Sequence, residues 1–456
     1  MPLSHPSVLI AGAGPSGLVL ALVLLQNGVS VRVIDKEPKH RIGSRRTAVQ
    51  PRTLELYNIL GVLSNIQKEG EFLPSMAKYN PGELKPASMS KIAEWVEPTP
   101  DTPHANVISI SQERHEEILC NTLEKLGCTV DHGCELRPLE QFPGHVVAHI
   151  TRTDAAGEQT EEHTKFDWLI GTDGVHSIVC HQLGLSFLGE TRTEQHMALG
   201  DIVVEEGVSP EVFIAGDAVH CHSPTGGQGL NSCVQDVTNL GWKLALVHKD
   251  LAPEMLLDTY SEERVCVIAQ MMKVTTDLYN ASFDQLHRAG VAIQDALFLR
   301  GGDLNMLGVN YCGSSIISED AAVAGNNAYS KAEGGCVQAA YRTPDMPGLI
   351  HVGSTDAPTT LFAIFRGSAH TVLLFGGVKA ACAPVVDELA RIPAEILQTV
   401  LVLQQGQQAA GEDSLFDAVL VDCEGHAYTG YGLQPHKLTI VMVRPDGVVG
   451  VVASDA

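Results

Sequence analysis

The chain has 456 residues, 44% of them hydrophobic and 18% charged, which leaves room for two or three domains and a core that needs neither metal nor disulfide. Acidic residues outnumber basic ones 54 to 30 for a formal net charge of -24, so the overall field repels nucleic acid and anionic membrane surfaces. The longest apolar runs, such as ALVLL at 21–25, fall far short of the ~20 residues that cross a bilayer. The N-terminus has no charged segment before its apolar run, which argues against a signal peptide. The eleven cysteines include no Cys-x-x-Cys, which reads as free thiols in the reducing cytoplasm.

In chain order, residues 7–35 give the first clear unit. SVLIA is a buried strand, GAGPSG a tight turn, LVLALVLLQNG an apolar helix ending on glycine, and VSVRVID a second strand ending in Asp35. Gly12, Gly14 and Gly17 therefore stand where a strand meets a helix, the context in which GxGxxG marks a dinucleotide site. Gly12 permits the turn, Gly14 lets the backbone approach a pyrophosphate, and Gly17 lets helix and strand pack closely. The helix N-terminus offers its dipole and free N–H groups to the phosphates, and Asp35 suits a ribose hydroxyl.

Residues 38–60 read as loop then helix, and 75–110 are rich in Pro and Ser with weak periodicity. HEEILCNTLEKLG (115–127) is an amphipathic helix; HVVAHITRTD and KFDWLIGTDG carry strand patterns. A strand VFIAG then leads into GDAVHCHSPTGGQGLN, and a long helix begins near Gln228, with more helix over about 254–297. Small polar residues at 318–336 suit a linker, and 337–456 mixes strands with a helix as a separate small α/β domain. His220, Cys221 and His222 raise the question of a metal. No carboxylate or cysteine cluster with ligand spacing accompanies them, so they are read as packed or hydrogen-bonded residues and no metal is expected.

The glycine-rich unit alone does not separate NAD from FAD. Two later stretches do, and with them the chain resembles the single-component FAD-dependent aromatic hydroxylases, especially their phenol hydroxylase-like branch. DWLIGTDGVHSIV (167–179) resembles the family's Asp-Gly motif, with Asp173 and Gly174 in place, and GDAVHCHSPTGGQGLN followed by DVTNLGWKLA resembles its Gly-Asp motif. RRTAVQPRTLE resembles an arginine-bearing loop, SISQERHEEIL a cofactor-contacting segment, and the tail the thioredoxin-like C-terminal domain of phenol hydroxylases.

The resemblance implies non-covalent FAD, with NAD(P)H as a transient electron donor, dioxygen as co-substrate, and transfer of one oxygen atom to an electron-rich carbon of a phenolic or polyketide-like aromatic compound. It assigns Asp217 to the ribityl hydroxyls, and Gly226, Gly227 and Gly229 to close approach of the ring. Leu230 and Asn231 would supply N–H donors at the ring's pyrimidine edge, Pro224 would stand beside its reacting face, and Arg45, Gln112 and Asp173 would contact the cofactor. Charge at the reduced ring is stabilised by a helix N-terminus and its donors. No catalytic base is assigned.

Two departures from the family stand out. Cys180 occupies the place of a common arginine at the end of the Asp-Gly motif, and His176 replaces a common basic or small residue. Only residues 191–211 separate the Asp-Gly region from the strand before Asp217, an interval that holds about two or three strands where relatives place most of a substrate-binding sheet. The expectation is an α/β chain with a Rossmann-like FAD-binding domain, a reduced β-sheet substrate region and a thioredoxin-like C-terminal domain. Its divisions are 1–74 (first FAD-binding part), 75–110 (substrate region), 111–317 (FAD-binding remainder), 318–336 (linker) and 337–456 (C-terminal domain). The function expected is that of an FAD-dependent monooxygenase. The alternatives are an NAD-dependent dehydrogenase, which predicts no Gly-Asp motif, and a flavin-binding protein that has lost activity and serves as a partner or scaffold. The acidic surface and the C-terminal domain leave room for a homo-oligomer.

Overall fold

The structure is a computed structural model that describes residues 6–39, 46–72, 75–80, 83–91, 93–192, 197–203, 211–220, 225–289, 302–318, 327–332, 336–355, 357–376, 379–407, 415–435 and 437–454. Its centre is a five-stranded parallel sheet in the order Val212–Ile214, Trp168–Gly171, Val8–Ala11, Val31–Asp35, Val130–His132. Parallel strands are covered on both faces and so read as continuous apolar runs, as VLIA does. Alternate residues of that strand enter different cores. Val8 and Ile10 pack under the helices Pro15–Gln26, Gln112–Lys125 and Gly229–His248. Leu9 and Ala11 pack against the three-stranded antiparallel sheet Cys134–Phe142, His145–Thr153 and Gln159–Phe166.

The stretch KFDWLIG, read as one strand, divides. Phe166 ends an antiparallel strand, and Trp168 begins a parallel strand of the central sheet. The Pro- and Ser-rich region contains the hairpin Ser75–Tyr79 with Pro86–Lys91, which pairs with no other sheet among the described residues. A second hairpin joins Ser186–Arg192 to Met197–Val203. A small antiparallel sheet of Arg46–Val49, Ile108–Ser111 and Glu71–Phe72 packs against the helices Gln112–Lys125 and Gly229–His248.

The C-terminal part is a six-stranded sheet in the order Leu349–His351, Ala418–Asp422, Leu397–Gln404, His370–Phe375, Thr439–Val443, Val449–Ser454. Its three central strands are parallel and its outer ones antiparallel, with an apolar core on each face. It meets the rest of the molecule through apolar contacts, Val448 with Val267 and Met271 and Ile59 within its own core, and through charge. Glu263, fully buried, accepts hydrogen bonds from Arg444 (2.6 and 2.9 Å), Lys243 (2.8 Å), Asn239 (2.5 Å) and Ser314 (2.8 Å). The Arg444 guanidinium also lies 5.3 Å from the ring centres of Trp242 and Tyr311. Burial opposes the Glu263 charge, but Arg444 and Lys243 hold its carboxyl well below the usual range. Burial likewise brings the Lys243 ammonium down to about 8 despite the pull of Glu263.

Candidate functional site

Because the central strands are parallel and in register, Ala11, Asp35, Gly171 and Ile214 all end at one edge of the sheet. The three motifs follow those ends, so the fold brings them to one side, where open α/β sheets bind ligands. Gly12 leaves its strand at φ +108, and a Cβ there would lie 2.4 Å from the Thr172 carbonyl oxygen. A Cβ at Gly17 would lie 2.0 Å from the Gly12 carbonyl oxygen. Both glycines are thus demanded by the protein's own packing. Gly14 differs: no atom lies within 4 Å of where its Cβ would stand. It precedes Pro15 at the start of the helix, so open space adjoins a helix N-terminus whose first N–H groups lack intrahelical partners.

The Asp35 carboxylate accepts from the backbone N–H groups of Ala13 and Glu37, both at 2.8 Å, and so pins the turn. Each of its oxygens retains a second lone pair for a hydroxyl. Gln112 opens its helix and donates to Glu116 at 2.7 Å. Burial raises the Glu116 carboxyl, the Gln112 hydrogen bond opposes that shift, and Asp35 adds to it, so these groups share one electrostatic neighbourhood. Asp173 accepts from the N–H of Ile178 at 2.7 Å through one oxygen, while its other oxygen is buried without a partner. Asp35, Gly12, Asp173, His176 and Cys180 line one cleft of about 570 Å³.

At the neighbouring strand end, Gly216 at φ +65 turns the chain so that Asp217 is exposed between buried neighbours. The Cys233 thiol donates to Asp217 at 3.4 Å, and burial, then Asp217, push that thiol well up. Gly226 and Gly227 both have positive φ, and Gly229 begins the long helix. Side-chain amides hold this turn. Asn231 accepts from the Gln50 N–H at 2.8 Å and donates to the carbonyls of Ala48 (2.7 Å) and Gly227 (2.8 Å). Gln228 donates to the carbonyls of Gly226 (3.1 Å) and Leu304 (2.8 Å). The Asn231 side chain is therefore committed to the protein, which leaves its backbone N–H as its contribution to a ligand. Leu230 packs against the main core.

Sequence reasoning missed this amide clamp and the role of Thr172, whose hydroxyl donates to the carbonyls of Ala11 (3.1 Å) and Gly12 (2.9 Å). The available signal was an amide on each side of the glycines, Gln50 before Pro51 and Gln228 and Asn231 around Gly229. Arg45, Pro224 and His222 lie outside the described residues.

His220 is buried and bonds Asp236 through Nε2 at 2.7 Å. Asp236 in turn accepts from Arg264 at 2.7 Å, and Arg264 donates to the Tyr311 hydroxyl at 3.1 Å and the Ser232 carbonyl at 3.3 Å. Burial opposes the Asp236 charge, but Arg264 and His220 keep its carboxyl low. His220 thus belongs to a charge chain behind the turn, and no group of three or more metal-ligating side chains gathers among the described residues.

These features fit an extended, phosphate-bearing cofactor: an open glycine at a helix N-terminus, a buried carboxylate oxygen without a partner, and an exposed acid at the second turn. A family model described as FAD binding domain matches residues 5–211 and 195–275. A flavin-dependent monooxygenase of Mycobacteroides abscessus is 27% identical over 529 positions, covering 98% of this chain and 96% of the relative. The pentachlorophenol 4-monooxygenase of Sphingobium chlorophenolicum is 24% identical over 528 positions, covering 97% and 93%. The fold also matches the crystal structure of a ternary complex of aklavinone-11 hydroxylase with FAD and aklavinone, at a TM-score of 0.71 and 22% identity, covering 99% of this chain and 96% of that one. With the motifs at one sheet edge and the model spanning more than half of the chain, the protein belongs to the FAD-binding-domain family of flavin-dependent monooxygenases.

Proposed function

We propose that this protein hydroxylates a phenolic or polyketide-like aromatic compound, with non-covalent FAD, dioxygen, and NAD(P)H as the transient donor. The observation that carries the reading is the convergence of Gly14, Asp173 and Asp217 at one sheet edge, each with an atom or a space that no protein group fills. Bound there, FAD supplies the electron transfer and oxygen activation that no side chain of this site provides. Gly14 and the helix N-terminus hold the pyrophosphate in a turn that Gly12 and Gly17 shape, Asp35 and Gln112 hold the adenosine side, and Asp173 adjoins both. Asp217 takes the ribityl hydroxyls, and Gly227, Gly229 and the N–H groups of Leu230 and Asn231 face the ring. Arg45 and Pro224 complete the proposed set.

The aromatic substrate follows from the relatives, one named for pentachlorophenol and one crystallised with aklavinone. The divisions 1–74, 75–110, 111–317, 318–336 and 337–456 stand as our reading, with the last thioredoxin-like in its mixed sheet but without a Cys-x-x-Cys for dithiol chemistry. A cytoplasmic setting accords with the free cysteines.

One observation favours a second reading. Alignments of 529 and 528 positions exceed the 456 residues of this chain, so the relatives carry residues that it lacks. This supports a shortened substrate sheet near 191–211 and, with it, a flavoprotein that has lost hydroxylation and serves as a partner. A less enclosed site admits water, which diverts oxidising power to hydrogen peroxide. The purified protein should show two flavin absorption bands, and acid precipitation should release the colour into the supernatant. Product and peroxide measured per NAD(P)H consumed, with phenols present, then decide between the readings. Product formation supports the hydroxylase; consumption unaffected by any aromatic, or none, supports the partner.

A further inference from the structure

The turn between the last two strands of the C-terminal sheet is buried, although turns ordinarily lie at the surface where water satisfies their backbone. Arg444, Asp446 and Val448 are each no more than 4% exposed. The backbone of the turn is satisfied within the protein. The Arg444 N–H donates to the Val448 carbonyl at 2.8 Å, the Gly447 N–H to the Arg444 carbonyl at 2.9 Å, and the Gly447 carbonyl accepts from Thr343 at 3.0 Å. Gly447 has φ +68, and a Cβ there would lie 2.9 Å from the Ile59 side chain, so the turn is wedged against the helix Pro51–Ile59.

It touches the supports of the second cofactor turn from two sides. In front, Arg52 donates to the Asp446 carbonyl at 2.7 Å. Arg52 belongs to the helix capped by Gln50, whose N–H donates to Asn231 and whose side chain donates to the Gly226 carbonyl at 3.3 Å. Behind, Arg444 binds Glu263, which accepts from Asn239 and Lys243 of the helix Gly229–His248. Arg444 also lies over Tyr311, whose hydroxyl accepts from Arg264; Arg264 holds Asp236, Asp236 pairs with His220, and the His220 N–H donates to the Gly216 carbonyl at 3.1 Å. Apart from the cation–ring contact, every link in both routes is a hydrogen bond or a helix, and most of the groups are buried. Displacing the turn therefore leaves unpaired groups at both supports.

We propose that Arg444–Gly447 positions the cofactor site: the C-terminal sheet sets the geometry of the turn Gly216–Asn231, and FAD binding and docking of Arg444–Gly447 reinforce each other. The proposal rests on FAD being seated at that turn. Arg444 touches neither cofactor nor reacting atoms and is a positioning residue, acting through Glu263, Tyr311 and Arg264. Such linkage is reciprocal, so bound FAD holds Arg444–Gly447 in place by the same factor by which the docked turn tightens FAD.

Hydrogen exchange of the full-length wild type, with and without saturating FAD, reads this linkage without any substitution. The amides of Arg444 and Gly447 should exchange at least tenfold more slowly with FAD, while those of Ala418–Asp422, farther across the same sheet, stay within twofold. Equal slowing throughout the sheet would be stabilisation of the whole chain and overturns the proposal, as does no slowing at the turn. FAD affinity, from flavin fluorescence, and the flavin midpoint potential are then compared among variants. Arg444→Met should weaken FAD about tenfold and lower the potential, because a displaced helix N-terminus stabilises the charge of the reduced ring less. Arg444→Lys, which keeps a cation beside Glu263, should recover part of both. Tyr311→Phe keeps the ring under Arg444 but removes the acceptor of Arg264, and should weaken FAD about threefold. Leu374→Ala opens the apolar core on the opposite face of the sheet. It should lower stability yet leave FAD affinity within twofold; a loss of affinity equal to that of Arg444→Met would mean that any damage to the C-terminal sheet acts alike, which overturns the positioning role. If Arg444→Met does not fold, Tyr311→Phe and the exchange measurement decide. A wild type that binds FAD without protecting Arg444 and Gly447 sinks only this linkage, whereas a wild type that binds no FAD sinks the cofactor placement itself.

Discussion

The two turns that face the proposed cofactor are built by different means. At residues 12–17 the shape is set by backbone against backbone: Gly12 and Gly17 have no room for a Cβ, and Thr172 and Asp35 close the turn from the neighbouring strands. At residues 216–231 the glycines supply the positive φ values, but the turn is held by side chains, the amides of Gln50, Gln228 and Asn231 in front and the chain His220, Asp236, Arg264 behind. A steric turn fails when an atom is added. A hydrogen-bonded turn fails when one is taken away, and the damage then spreads to every group left unpaired.

The sharpest break of this contrast lies behind the second turn. Arg264→Met would leave Asp236 buried with only His220 as partner, and should destabilise the protein by about 3–5 kcal/mol. Chemical denaturation of the apoprotein measures it, and a loss below 1 kcal/mol would mean that the charge chain does not support the fold. Next comes Gly17→Ala, which sets a methyl 2.0 Å from the Gly12 carbonyl oxygen. It should cost about 3 kcal/mol and strip the flavin absorbance. Asn231→Ala should cost about 1–3 kcal/mol, because the Gln50 N–H loses its acceptor in a buried setting. FAD release should quicken in parallel, since Gly227 is freed as well; unchanged release would separate the clamp from the cofactor.

The smallest stability effect belongs to Gly14→Ala, and it sharpens the comparison most. No atom stands within 4 Å of the added Cβ, so the apoprotein melting temperature should move by less than about 2 °C. FAD affinity should nevertheless fall at least tenfold, because the methyl enters the space proposed for the pyrophosphate. A variant that keeps both its melting temperature and its FAD would remove the strongest reason to put phosphates there.

Much of the first turn was legible in the sequence. GAGPSG between an apolar strand and an apolar helix, with Asp35 closing the next strand, specifies local structure through residue order alone, and the structure has the strand, turn, helix and strand where the pattern put them. The stretch VFIAGD was legible for the same reason, as an apolar strand ended by a glycine and an acid. Less was legible where partners are far apart in the chain. Gln50 and Asn231, or Arg444 and Glu263, carry no local signal, and neither the antiparallel strand Gln159–Phe166 nor the hairpin at 75–91 has the clean alternation that announces a half-buried strand.

The sequence by itself therefore determined the glycine turns, the acids that end their strands and the family to which those motifs point, because φ preference, apolar periodicity and helix entry act over a few residues. Only the tertiary structure decided that Asn231 is a clamp, that His220 leans on Asp236, and that Glu263 and Arg444 join the cofactor-side helices to the C-terminal sheet. Buried polar groups need partners wherever the fold places them, and that pairing follows from three-dimensional proximity, which residue order does not encode locally.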